Sequence, residues 1–191
     1  YSEEDLNFIS MACRICATAL ENAKLLELAT YDHKTGLFMY NSFKVKAKKE
    51  IARSNRFKKN FALIMLDIDH FKKVNDTYGH NQGDTVLVHL SKIIKSTIRD
   101  IDMPVRFGGE EFIILCPETT KHEAHILTKR LQEKITDYDF PGQNFPIKIT
   151  SSFGVTEYDH KSPKSFKELV EKVDKALYNS KHNGRNMITL A

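Results

Sequence analysis

The segment 105–115 has the residue types best suited to chemistry, because two strand-forming runs flank a pair of glycines and a pair of acids. Adjacent glycines permit a tight turn with positive φ, so Gly108 and Gly109 predict the tip of a β-hairpin. Without Cβ atoms, they also let a bulky ligand approach the backbone. Glu110 and Glu111 would lie at this tip, a natural place for a metal-bound phosphate. The alternative is an ordinary hairpin with a polar tip.

A second pair of acids, Asp67 and Asp69, ends the apolar run that starts at Phe61. Such a run is typical of a strand buried on both faces. Asp67 would then emerge at the edge of the sheet, where ligands bind in α/β folds. One carboxylate there and another on a neighbouring hairpin could hold Mg²⁺, which prefers oxygen ligands and substrate phosphates. Asp69 precedes His70 and is expected to cap a short helix instead.

Hydrophobic periodicity predicts the elements that position these acids. Helical spacing predicts helices over 3–29, 40–57 and 70–77, and amphipathic stripes predict three more over 86–98, 124–135 and 166–177. Strands are expected over 61–68, 147–155 and 186–190, with the hairpin over 103–116. This order of elements predicts an α/β sandwich, with helices over a mixed, mostly antiparallel sheet.

Further motifs accompany the two acidic segments. In order they are Asp32–Leu37, Asp67–Asp69, Phe71–Asp76, Gly79–His80, Gly83–Asp84, Gly108–Phe112, Ser152–Val155 and Lys181–Asn186. Together they cover roughly residues 30–190 and resemble the GGDEF domain, the catalytic domain of diguanylate cyclases, in its Gly-Gly-Glu-Glu-Phe variant. The resemblance implies a palm-like, nucleotidyl-cyclase-like fold with a five-stranded sheet flanked by helices.

The activity implied by the resemblance is condensation of two GTP molecules into cyclic di-GMP, with release of two pyrophosphates, across a homodimer. The resemblance assigns two Mg²⁺ ions, for which Mn²⁺ could substitute, to Asp67, the carbonyl of Ile68 and Glu110. Glu110 is also the family's candidate for deprotonating the attacking 3′-hydroxyl. A metal ion beside it would keep Glu110 ionised, which favours simple ligation as its main role. Glu111 is expected to be secondary.

Base recognition is implied for Asn75 and Asp84, which fall where the family reads guanine. Guanine's N1–H and exocyclic amine form a paired donor edge, and one carboxylate can accept from both. Adenine has no such pair, so Asp84 should select against ATP. His80 lies between the two residues and would line the same pocket, unless it is simply held locally after the glycine turn.

Phosphate contacts are implied for Lys181 and Arg185, and further substrate contacts for Gly108 and Gly109. Lys181 and Arg185 lie four residues apart near the end of a predicted helix. Cations are also favoured there by the helix dipole, with Gly184 as the cap. The two explanations can hold together.

A regulatory site is implied by Arg99 and Asp102, an Arg-x-x-Asp just before the glycines. The pair resembles the family's inhibitory product site, and Arg130 on the following helix matches a further contact. Arg can bind the Hoogsteen edge of a guanine, while Asp accepts from its Watson–Crick edge. Feedback inhibition by cyclic di-GMP is therefore expected.

The sequence departs from the family pattern at a few positions. Lys34 stands where the family usually has Leu, and Met39–Tyr40 where it has Asn-Arg. We expect these positions to lie away from the metal and guanine sites and to affect local packing or activation. Two other functions stay open: a weakly catalytic receptor for GTP or cyclic di-GMP, against which the retained acids argue, and synthesis of cyclic GMP-AMP, against which Asp84 argues.

Length and composition agree with one domain of a soluble protein, since the chain has 191 residues and a net charge of +4. Nucleic-acid binding has no motif support. Lysines and arginines concentrated over 44–59 form either a solvated helix face or an electrostatic funnel for GTP. With three cysteines and no membrane-spanning run, we expect a cytoplasmic location, although a longer parent protein could carry a membrane segment. Cys13 and Cys16 are expected to be packed as small hydrophobes.

Residues 1–30 are expected to form a linker or signalling helix before a catalytic domain over 31–191. The helix resembles the last helix of a GAF sensor domain, so an upstream sensor domain is expected in the parent chain. Apolar residues spaced alternately by three and four predict a coiled-coil seam between two copies. The alternative is a helix packed on its own domain. The seam residues are Leu6, Ile9, Cys13, Cys16, Leu20 and Ala23.

Overall fold

The fold is taken from a computed structural model, which describes residues 2–143 and 145–191. The helices are α1 (Glu3–Thr30), α2 (Tyr40–Phe57), α3 (Phe71–Tyr78), α4 (His80–Thr97), α5 (Lys121–Asp137) and α6 (Phe166–His182). The strands are β1 (Phe38–Met39), β2 (Phe61–Ile68), β3 (Met103–Arg106), β4 (Glu111–Pro117), β5 (Ser151–Tyr158) and β6 (Ile188–Leu190).

The strands form one sheet in the order β1-β3-β4-β2-β5-β6. The three pairings among β2, β3, β4 and β5 are antiparallel, while β1 and β6 add parallel edges. The predicted α/β class with a mixed, mostly antiparallel sheet is therefore confirmed, but the predicted count of five strands is wrong. The additional strand is β1, whose two residues are too few to carry a period.

The strand predicted over 147–155 is also displaced, because β5 spans Ser151–Tyr158. Ile147 instead makes an isolated bridge with Phe140. Apolar alternation continues through this bridge into the strand, so the pattern alone does not mark where the pairing with β2 begins.

The central strand β2 is buried along its whole length and supplies both faces of the core. Ala62, Ile64 and Leu66 pack with α4 and α5, whereas Leu63 and Met65 pack with α2 and α6. This alternation follows from the period of two in a strand. It sends Asp67, the next odd-numbered residue, toward the side of the sheet that α6 covers.

Helix α1 begins with a capping box, in which Ser2 and Asp5 satisfy each other's backbone N–H groups. No residue of α1 is buried, and every predicted seam residue is exposed. The alternative that α1 packs on its own domain is therefore wrong for this chain. Cys13 and Cys16 are exposed as well, so their expected packing is not provided by this domain. Within the described residues, no helix is both long and apolar enough to cross a membrane.

Candidate active site

The predicted hairpin is present, with β3 and β4 paired antiparallel up to Arg106 and Phe112. The N–H groups of Phe107 and Gly108 donate to the carbonyl of Glu111, at 2.8 and 3.1 Å, and close the turn. The predicted positive φ is wrong, because neither glycine of the tip has it. These hydrogen bonds form the turn without a left-handed residue.

Gly109 has open space where a side chain would begin, since a Cβ built there meets no described atom within 4 Å. At Gly108 a Cβ would lie 2.8 Å from Oε2 of Glu111. The fold itself therefore gives no reason for glycine at position 109. Close approach of a ligand to the backbone would give one.

Strand pairing brings the tip of the hairpin to the end of β2. Asp67 lies opposite Glu111 in the register of β2 and β4. The N–H of Ile68 donates to the carbonyl of Glu110 at 3.4 Å. The three residues predicted as metal ligands, Asp67, Ile68 and Glu110, thus meet at one edge of the sheet, although they come from two separate segments.

The acids at this edge surround one cation. The ammonium of Lys181 lies 2.7 Å from Oδ2 of Asp67 and 4.0 Å from Oε1 of Glu111. Burial raises the pKa of Asp67, although Lys181 opposes this rise. Burial also raises the pKa of Glu110, and the charge of Asp67 raises it further. Keeping these buried, closely spaced carboxylates ionised costs free energy, and a further positive charge in the site would lower that cost.

The donor atoms at this edge fit a hard cation. Among residues 2–143 and 145–191, no three His, Cys, Asp or Glu side chains converge as a ligand group. The candidate set instead combines the carboxylates of Asp67 and Glu110 with the main-chain carbonyl of Ile68. Mg²⁺ is commonly held by one or two carboxylates together with substrate phosphates, so the residues present suit it.

Asp69 does not cap α3, and that prediction is wrong. The N-cap of α3 is His70, at φ 56°, with no side-chain capping bond. The buried carboxylate of Asp69 accepts hydrogen bonds from the hydroxyls of Thr150 and Ser152, each at 2.6 Å, and from the N–H of Asn186 at 3.0 Å. Asp69 therefore ties the loop after α6 to the edge of the sheet beside Asp67.

This tied loop carries Arg185. Helix α6 ends at His182 with Asn183 as its cap, one residue before the predicted Gly184. Gly184 and Arg185 have φ of 124° and 61°, and the N–H of Arg185 donates to the carbonyl of Ser180 at 3.0 Å. Lys181 thus lies in the last turn of α6, and Arg185 lies on the loop after it, next to the Asn186 that Asp69 binds.

The predicted guanine residues lie where α3 meets α4. Gly79, at φ 84°, joins the two helices, and the exposed His80 begins α4. A Cβ at Gly83 would lie 1.9 Å from Oδ1 of Asn75, so glycine at 83 lets the side chain of Asn75 pack against α4. Asp84 follows on the same helix. The structure therefore brings Asn75, His80 and Asp84 to one junction.

The expectation that Lys34 lies away from the guanine residues is wrong. Its Nζ lies 2.6 Å from Oδ2 of Asp84. The two residues are 50 positions apart in sequence, so no local pattern could have revealed the contact.

The sequence analysis also missed Arg106, which holds the hairpin tip. Its Nη1 donates to both carboxylate oxygens of Asp32 at 3.1 Å, and its Nη2 donates to the carbonyl of Gly109 at 2.8 Å. Burial would raise the pKa of Asp32, but hydrogen bonds from Thr35 and the charge of Arg106 lower it below its usual value. Two residues could have indicated this pair in the sequence: an arginine just before the glycines, and Asp32 in the Asp32–Leu37 motif, to which the sequence assigned no role.

A family model described as "Diguanylate cyclase, GGDEF domain" matches residues 29–187. The chain belongs to the GGDEF family. It is 37% identical over 194 residues to diguanylate cyclase A of Treponema denticola, covering 100% of this chain and 52% of that protein. The chain thus spans about half the length of that relative.

Solved structures agree with this membership. The active GGEEF domain of a Vibrio cholerae diguanylate cyclase is 34% identical, with a TM-score of 0.69, over 74% of this chain and 89% of that one. The coiled coil and GGDEF domain of DgcB from Caulobacter crescentus, solved with c-di-GMP, has a TM-score of 0.91 over 100% of both chains. At 24% identity, the second match shows the fold, α1 included.

A cavity of about 170 Å³, away from the acids, is lined by all three residues predicted for product binding. Nη2 of Arg99 lies 3.0 Å from Oδ1 of Asp102, and its Nε donates to Oδ2 at 3.3 Å. Nη2 of Arg130 donates to the carbonyl of Thr97 at 2.6 Å. The side chain of Asp102 is fully buried, so its carboxylate orients Arg99 in this arrangement.

Proposed function

We propose that this GGDEF domain is a diguanylate cyclase that condenses two GTP molecules into cyclic di-GMP and two pyrophosphates. In each step the 3′-oxygen of one GTP bonds to the α-phosphorus of the other, the bond to the leaving pyrophosphate breaks, and the 3′-hydroxyl loses its proton. The observation that carries the proposal is the meeting of Asp67 and Lys181 with the hairpin tip, where Glu110 follows the open backbone position of Gly109. Phosphoryl transfer needs this kind of positioning and charge neutralisation.

The family is generally metal-dependent. In our proposal Asp67, the carbonyl of Ile68 and Glu110 would hold two Mg²⁺ ions, or Mn²⁺ in their place. When bound, such ions neutralise phosphate charge and make the 3′-hydroxyl easier to deprotonate. The charge of the bound metal ions would keep the carboxylate of Glu110 ionised and hence weakly basic, so Glu110 would serve mainly as a ligand. Glu111 has a secondary role, facing Lys181 across the site.

Substrate binding in this proposal uses the two ends of the site. Lys181, in the last turn of α6, and Arg185, on the loop after it, hold the triphosphate, and Gly108 and Gly109 let it approach the hairpin. Lys181 pairs with Asp67 in the structure. In the proposal, an arriving metal ion would take over the pairing with Asp67, and the ammonium of Lys181 would pair with the phosphates.

At the far end Asn75, His80 and Asp84 receive the guanine. The packing of Asn75 against Gly83 supports a preformed base pocket.

Product inhibition belongs to the same proposal. Cyclic di-GMP would bind the cavity lined by Arg99, Asp102 and Arg130. The exposed guanidinium of Arg99 suits the Hoogsteen edge of a guanine. Asp102, whose carboxylate is held by Arg99, would then orient that guanidinium rather than read the Watson–Crick edge.

The catalytic unit in this proposal is a homodimer of domains over 31–191, joined by their residue 1–30 helices. Each domain presents one GTP, so two domains must face each other to join two nucleotides. The exposed seam of α1 supports a helix that is buried only against a second copy. An upstream sensor domain could change how two such helices pack and so control the reaction. The proposed function includes no nucleic-acid partner.

The test is incubation of the chain with GTP, ATP and Mg²⁺, followed by chromatographic separation of the products. We expect cyclic di-GMP and pyrophosphate in a ratio of one to two, and no product that contains adenine. Glu110→Gln should remain folded and lose turnover, because it removes a charged ligand while keeping the side-chain shape.

Glu133→Gln is a matched control, since it removes the same charge at an exposed position of α5, away from these acids. A folded Glu110→Gln variant with near-normal synthesis would refute the assigned site. Binding of GTP or cyclic di-GMP without turnover by the parent chain would favour the receptor function instead.

A further inference from the structure

The ion pair between Lys34 and Asp84 brings a cation to the carboxylate assigned to the base. Nζ of Lys34 lies 2.6 Å from Oδ2 of Asp84, and the two side chains stay 40% and 39% exposed. The pair therefore faces solvent at the mouth of the α3–α4 junction, where an arriving base would meet both groups.

The backbone of Lys34 is fixed against α4 by the turn that contains it. The carboxylate of Asp32 accepts from the N–H and hydroxyl of Thr35, at 2.9 and 2.7 Å. The carbonyl of Thr35 accepts from the hydroxyl of Ser91 at 3.2 Å. Nζ of Lys95 donates to the carbonyl of Gly36 at 2.8 Å. The fold thus holds the root of the Lys34 side chain within reach of Asp84.

We propose that Lys34 is a specificity-determining residue that donates a hydrogen bond to O6 of the guanine held by Asp84. The inference rests on the proposed function, because it takes Asp84 as the base-reading carboxylate. Guanine presents O6 beside N1–H, and its exocyclic amine lies on the other side of N1–H. When the carboxylate of Asp84 accepts from both donors, O6 therefore lies next to whichever group stands beside that carboxylate. Here that neighbour is an ammonium, and lysine is a common donor to guanine O6.

The same pair rejects adenine twice. Adenine carries an amine where guanine carries O6, so its donor would face the ammonium of Lys34. The carboxylate of Asp84 would at the same time lose the N1–H donor. A site built to pair with given polar groups discriminates strongly against a ligand that lacks them. An exposed ion pair contributes little to folding, so Lys34→Leu should fold normally.

The test measures binding of 3′-deoxy nucleotides, which lack the attacking hydroxyl and cannot condense, by calorimetry with Mg²⁺. The parent chain should bind 3′-deoxy-GTP about tenfold more tightly than its 6-thio analogue, in which a poor acceptor replaces O6. Lys34→Leu should bind 3′-deoxy-GTP about tenfold more weakly and no longer distinguish the two. It should still discriminate against 3′-deoxy-ITP, which lacks the amine and reports on Asp84.

His33→Leu is the matched control, because His33 is an exposed neighbour in the same turn, and it should bind like the parent. Equal or tighter binding of 3′-deoxy-GTP by Lys34→Leu would mean that the ion pair only competes with the base, and would overturn the inference. Equal binding of the oxygen and sulfur analogues by the parent would also overturn it. A parent chain that binds no guanine nucleotide would refute the proposed function first, and the inference with it.

Discussion

At the scale of single residues, the glycines of this domain do different work. Gly83 gives room to Asn75, because a Cβ there would overlap the side chain of Asn75. Gly36 is required by its φ of 61°. Gly109 is required by neither, since its φ is ordinary and its Cβ position is open. Its role must be sought in what approaches from outside.

We therefore predict that Gly109→Ala lowers cyclase activity at least tenfold without loss of stability. Alanine restricts the unfolded chain, so the free energy of unfolding should stay level or rise by about 0.4–1 kcal/mol. The measurements are initial rates with GTP and urea unfolding of the same preparation. Gly36→Ala is the control and should be destabilised, because its backbone is left-handed. Parental activity in Gly109→Ala would mean that no ligand approaches this backbone.

At the scale of elements, Arg106 joins the turn after α1 to the hairpin tip. Its guanidinium bridges Asp32 and the carbonyl of Gly109 across two segments of the chain. Since the tip carries Glu110, the position of a proposed metal ligand depends on an ion pair outside the site. A shift of α1 could reach the active site through this bridge.

We predict that this bridge makes the free energy of unfolding depend on pH in the acidic range. The pKa of Asp32 is lowered in the fold, so its contribution is complete above the unfolded value near 3.8 and is lost as pH falls through the folded pKa. Asp32→Asn should therefore have a lower urea midpoint than the parent at pH 7, and the difference should shrink as the pH falls below about 4. Combining Asp32→Asn with Arg106→Met should cost less than the sum of the two changes. A midpoint difference that is constant from pH 7 to pH 3 would contradict this account.

Local sequence patterns predicted the helices and strands well, but they did not predict contacts between residues that are far apart in the sequence. The continuous run of β2 gave both ends of that strand, because they are set by its own periodicity. The apolar stripe of α6 gave the start of the helix but not its end, since α6 continues past the predicted residue 177 to His182. The role of Asp69 was missed, since its partners Thr150 and Asn186 lie far along the chain. The same distance hid the pair of Lys34 with Asp84.

At the scale of the whole molecule, the proposed function assigns one nucleotide to each domain and therefore requires a second domain to supply the other. The exposed apolar face of α1 is the surface that would let two domains associate in this proposal. Ile9 is 48% exposed and Leu6 57% exposed, and both lie on the predicted seam. Apolar side chains at this spacing pack in a coiled coil when a second helix covers them.

We predict that Ile9→Glu combined with Cys16→Glu dissociates the dimer, because it places like charges on the seam of both helices. Specific activity should fall at low protein concentration and recover as concentration rises, since association follows mass action. Sedimentation should show the matching loss of dimer mass. Met11→Glu with Thr18→Glu is the matched control, because it adds the same charge at the same spacing on the exposed side of the helix opposite the seam, and it should retain parental behaviour. If the seam variant kept parental activity at every concentration, α1 would not be the dimer element, and the two nucleotide sites would have to meet through another face of the domain.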